Sequence, residues 1–145
     1  MAETLTLYKP FMRTLLNKEV DLDSDDIRIM LVGGGYTPDV SAHSYKSDVT
    51  SEITGTNYTQ GGEAIPGKSF TIQDGVGIFD ANNVMWPTLT TESDIRYAVI
   101  YDNTPSDESA KPLIAYIDFG EAFAVLHADF EIIWSTAGIL RVTAV

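Results

Sequence analysis

A chain of 145 residues is the size of one domain and buries roughly two thirds of its unfolded surface without staples. It has no cysteine, which excludes disulfides, zinc–thiolate sites and cysteine nucleophiles. Twenty-one acidic against nine basic residues leave a net charge of -12, a field that repels phosphate backbones and argues against nucleic-acid binding.

The start, Met1-Ala2-Glu3-Thr4, lacks the basic-then-apolar pattern of a secretion signal, so synthesis in the cytoplasm is expected. No apolar run reaches the roughly 18 residues that cross a bilayer, so no membrane partner is expected. Residues 1–10 read as an N-terminal arm, with Leu5 and Leu7 as its apolar contacts. Leu7, Phe11 and Leu15 recur at helical spacing and Met12 and Leu16 widen the stripe. This predicts one amphipathic helix of about three turns between Leu7 and Lys18, with Pro10 confined to its first turn.

The acids at Asp21, Asp23 and Asp25 resemble the opening of a calcium loop, but Asp26 stands where that loop needs glycine and Val32 where it needs glutamate. A solvated turn is expected and no metal. Ile27, Ile29 and Leu31 then alternate through a strand from Asp26 to Gly33, and Gly33-Gly34-Gly35 read as its flexible exit.

Residues 36–60 form the most irregular segment. A short helix is expected around Ala42 to Ser47, capped by Ser41. Tyr36, Tyr45 and Tyr58 fall in this segment and are the candidate interaction residues, alongside Leu5 and Leu7. His43 lies between serines, but no serine occupies a nucleophile elbow.

From Ala64 onward the chain reads as successive strands. One runs to Ile72, and Asp74-Gly75 is the signal of a tight hairpin. Strands over Gly77–Asn82 and Val84–Thr91 follow, with Phe79, Val84 and Trp86 as core residues and Pro87 marking a strand edge or a bulge. The two most apolar stretches, Ile95–Tyr101 and Leu113–Phe119, flank the polar connection 102–112 and are expected to be paired central strands. Asp118, inside the second, is expected to pair with Arg96. Strands are also expected from Phe123 to Ser135 and from Ile139 to Val145, with Ala137-Gly138 as a hairpin turn between them. Trp134 is read as a core residue.

The pattern is mainly β: one domain over residues 1–145, an antiparallel β-sandwich or flattened barrel with a single N-terminal amphipathic helix. The acids cluster in turns and no set of titratable groups converges in the sequence, so no catalytic residue, cofactor or metal is assigned and no enzyme is expected. Tyrosines on an exposed loop would also suit a carbohydrate-binding module.

Several stretches together resemble a family of small structural proteins of tailed bacteriophages: LLNKEVDLDSDDIRIMLVGGGYTPD, AHSYKSDVTSEITGTNYTQGG, FDANNVMWP, RYAVIYDN and PLIAYIDFG. The resemblance runs from about Leu15 to Gly138 and rests on their order and spacing. It implies a virion component, foremost a capsid decoration or cement protein on the outer surface of the head. Its partners would be the major capsid protein and itself, as a homotrimer. A head–tail connector or tail component is the alternative the resemblance also allows.

Overall fold

The computed structural model describes residues 4–144. Among them the chain forms eleven β-strands and one α-helix. Every strand pairing is antiparallel. The main sheet has the order β1 (Thr4–Leu7), β9 (Leu113–Phe123), β8 (Ile95–Asp102), β2 (Ile27–Val32), β4 (Glu63–Ala64). Two three-stranded sheets accompany it. One has the order β10 (Ala128–Ile132), β7 (Val84–Thr91), β3 (Gly55–Thr56), the other β11 (Leu140–Thr143), β6 (Val76–Asp80), β5 (Ser69–Gln73). The arrangement is a β-sandwich with one helix and not a closed barrel.

The main sheet is apolar on both faces because its strands carry large residues at consecutive positions. One face, with Ile29, Leu31, Ile100 and Ile117, shares the principal core with Phe79 of β6, Trp86 and Leu89 of β7, Ile132 of β10 and Phe11 of the helix. The opposite face, with Met30, Val32, Val99 and Tyr101, packs under Tyr8 and Tyr36 in a second core. The expected central pair is present, β8 against β9 with Val99 opposite Tyr116.

The helix α1 spans Pro10–Leu16 with proline in its first turn. It is two turns long rather than three, because Leu7 is held in β1 opposite Ala115. Phe11 and Thr14 are buried, and Met12 and Leu16 face solvent. The segment expected as an arm is thus a sheet edge over Thr4–Leu7; Met1 to Glu3 lie outside the described residues.

Asp74-Gly75 is the tight turn its sequence promises. Both residues have positive φ (52° and 77°), and the flanking Gln73 and Val76 pair. Pro87 does mark a bulge. Phe130 opposes Trp86 and Ala128 opposes Leu89, so β7 carries one extra residue there. Thr88 takes φ 49° and donates its N–H to Asp129 Oδ1 at 2.9 Å. The predicted hairpin at Ala137-Gly138 does not form. β10 pairs with β7, and β11 crosses to β6 with Leu140 opposite Phe79. Gly138 still turns the chain, at φ 94°, but between strands of different sheets. The strand expected from Ala64 to Ile72 is likewise two, β4 and β5.

Candidate interaction surface

The irregular segment 36–60 is fastened to the main sheet rather than displayed on it. Asp39 Oδ1 accepts from the N–H groups of Ser41 and Ala42, both at 3.0 Å. The helical turn falls later than expected, as a 3-10 turn over Lys46–Asp48. Its N-cap is Tyr45 rather than the expected Ser41, and Asp48 inside the turn accepts at Oδ2 from Ser44 N at 2.8 Å and Tyr45 N at 3.0 Å. Lys46 N donates to Lys111 O and Leu113 N to Ser44 O, which ties the segment to the 102–112 connection.

Two of the three candidate tyrosines point inward. Tyr36 is 2% exposed. Asp39 N donates to His43 Nδ1 at 3.1 Å, which makes that nitrogen an acceptor. The Tyr36 hydroxyl therefore donates to it at 2.8 Å and accepts from Tyr8 at 2.9 Å. Burial pushes the Tyr36 phenol up to about 12 and the Tyr8 phenol up further still, so both stay neutral donors. Tyr58 is buried against Trp86, its ring 6.4 Å away. Its hydroxyl accepts from Leu31 N and donates to Glu52 Oε1, both at 2.9 Å. Tyr36 and Tyr58 are therefore anchors that hold the segment down, not surface residues. Only Tyr45 lies near the surface, donating to Glu19 Oε1 at 2.8 Å.

Leu5 and Leu7 reach the molecular surface in two separate places. Leu5 borders a groove of about 450 Å³ with Phe119, Phe123, Phe130, Trp134 and Ile139. Trp134 is partly buried against the principal core, as expected, and also forms a wall of this groove, donating its Nε1–H to Asn82 O at 3.0 Å. Leu7 borders a second groove of about 420 Å³ between α1 and the β5–β6–β11 sheet. There Leu7, Phe11 and Leu15 face Phe70, Phe79 and Leu140. Met12, Phe70, Ile72 and Val142 line this groove and face solvent, Ile72 at 84%, and Leu16 of α1 is exposed to the same degree.

The sequence does not mark Phe70, Ile72 and Val142 as exposed, because an alternating apolar strand reads as half-buried. Their sheet covers one side of α1, and nothing among the described residues covers its rim.

A few of the charged groups form ion pairs. Arg96 Nε donates to Asp118 Oδ1 at 2.9 Å, the pair expected from sequence. Glu108 accepts from Lys111 Nζ at 2.8 Å and from Lys46 Nζ. Asp102 is in none of these pairs and is fully buried at the end of β8. Its Oδ1 accepts from Thr104 N at 2.9 Å, and its Oδ2 has no hydrogen-bond partner. Burial, together with the neighbouring Asp25 carboxyl, pushes Asp102 up to about 7.

Among the described residues no three His, Asp or Glu side chains are grouped to hold a metal ion, and no helix is long and apolar enough to cross a membrane. No family model, curated protein or solved structure matches the chain.

Proposed function

We propose that the chain is a non-enzymatic structural protein of a tailed-bacteriophage virion, a decoration or cement protein that binds the major capsid protein on the outer surface of the shell and stabilises it. The observation that carries this reading is the pair of apolar grooves flanking β1, bordered by Leu5 and Leu7, on a chain of net charge -12. Apolar surface of this extent beside polar surroundings suits docking on another protein. The acidic remainder keeps a densely decorated particle soluble and away from packaged DNA. The order of the sequence stretches from Leu15 to Gly138 supports the same reading.

The test is the copy number of the chain in purified particles, measured by mass spectrometry against the major capsid protein. A ratio near the number of shell lattice positions supports decoration. A ratio matching one ring moves the protein to the head–tail connector or the tail. Absence from the particle overturns the virion reading.

A further inference from the structure

We infer that the chain forms a two-fold dimer through the free edge of β5, where the Ser69–Gln73 strands of two copies pair antiparallel about Thr71 to make one six-stranded sheet. The inference stands apart from the virion reading and rests on the strand itself.

β5 is the outermost strand of its sheet, and all five of its residues are exposed. Natural edge strands are blunted by an internal lysine, a proline or a bulge. SFTIQ has none of these and pairs with β6 without interruption. Such an edge is a template for another strand.

The hairpin decides which groups are on offer. A two-residue turn closes on a hydrogen-bonded pair, Gln73 with Val76. Ser69, Thr71 and Gln73 therefore direct their N–H and C=O groups to β6, and Phe70 and Ile72 direct theirs outward. A register that sets Phe70 against Ile72 of the second copy uses every outward group, each such pair exchanging both of its hydrogen bonds.

The same register matches the side chains. Centred on Thr71, the stretch Lys68-Ser69-Phe70-Thr71-Ile72-Gln73-Asp74 is complementary to its own reverse. Ser69 meets Gln73 of the second copy, Phe70 meets Ile72, and Thr71 meets Thr71; beyond the strand ends Lys68, whose Nζ donates to Asp25 O within its own chain, would come near Asp74. Opposite charges and aromatic–β-branched pairs are the favourable cross-strand combinations. A parallel in-register arrangement would instead set Lys68 against Lys68. The free ring face of Phe70, whose other face stacks on Phe79 at 5.1 Å, and the exposed Ile72 would both be covered.

The opposite edge of the sheet, β11, carries one charge, Arg141, and no acid to answer it. A contact between β11 and β5 would be heterologous and lead to rings or open filaments. The two-fold contact is an alternative to the three-fold association expected from the resemblance.

The chain lacks cysteine, so one engineered thiol reports the register without background. Thr71 would face its own copy as a non-hydrogen-bonded pair, at a Cα separation of about 4.5 Å that a disulfide spans. The full chain is expected to sediment at twice its own mass at about 100 μM. Thr71→Cys is expected to oxidise to a covalent dimer, and Thr143→Cys on the β11 edge to remain reduced. Ile72→Lys, at a position already in solvent, is expected to sediment at the single-chain mass with an unchanged circular-dichroism spectrum. A wild-type chain at one or three chain masses overturns the inference. So does a dimer that survives Ile72→Lys, or one cross-linked equally well from Thr143→Cys.

Discussion

Asp102 places a carboxyl where water does not reach, and the cost appears as a pH dependence. Its folded value near 7 lies above the usual carboxylate range, so the folded state holds a proton that the unfolded chain has released. Stability is therefore lost as pH rises from about 4 to 7. Glu108, beside Lys111 and Lys46, and Asp118, beside Arg96, are shifted the other way, and their contribution is lost on acidification below about 4. The melting temperature of the wild type is expected to peak near pH 4–5 and decline toward neutrality, whereas Asp102→Asn is expected to show no such decline. An equal decline in both would assign it to other groups. Trp86 is the largest fully buried side chain, its ring 5.9 Å from Phe130, and its Nε1–H has no acceptor. Trp86→Ala should cost about 3–5 kcal/mol in urea unfolding. Trp86→Phe should cost less than half of that, since it discards an orphaned donor and keeps a ring. Gly62 permits the approach of β4 to β2: at φ 78° a Cβ there would sit 1.9 Å from Ile29 O. Gly62→Ala should therefore detach β4 rather than trim it.

At the scale of elements, β1 has the most to show. Its four residues pair with β9, and Tyr8 continues the contact through its N–H to Ile114 O at 3.1 Å. Removing residues 1–7 bares the β9 edge and opens both grooves. The truncated chain is expected to melt lower by at least about 5 °C in a thermal scan. A dispensable arm would leave the melting temperature unchanged. The elements legible in the sequence are those whose cause is local. Pro10 opens the helix, Asp74-Gly75 closes its hairpin, and Pro87 marks the bulge. The β-branched runs of β2, β8 and β9 announce a doubly buried sheet. What was not legible depends on partners distant in the chain. Ala137-Gly138 has turn chemistry, yet the strand after it is claimed by β6. Tyr58 reads as a loop aromatic until Leu31 N supplies a buried donor for its hydroxyl. Leu5 and Leu7 read as apolar contacts at the N-terminus, but their two grooves exist only once β1 joins the sheet.

The whole molecule combines a strong negative charge with an apolar rim. Two chains of net charge -12 repel at long range, and salt screens that repulsion within a Debye length of about 10 Å at 0.1 M. Association through β5 is therefore expected to tighten between about 0.02 and 0.5 M sodium chloride, as read by sedimentation equilibrium. Weakening over that range would mean that the Lys68–Asp74 pair outweighs the overall field. The main sheet adds a different consequence. β8 lies between β9 and β2, and Ala98 to Asp102 are buried in succession, so solvent meets these residues on neither face. Its amide hydrogens leave only when the entire domain opens, and they should be the last to exchange with deuterium. The β5–β6–β11 sheet, exposed along its outer strands, is expected to exchange earlier in the single chain and later once β5 is paired in the dimer. The main sheet is thus expected to set the slow end of the exchange times and the outer strands the fast end.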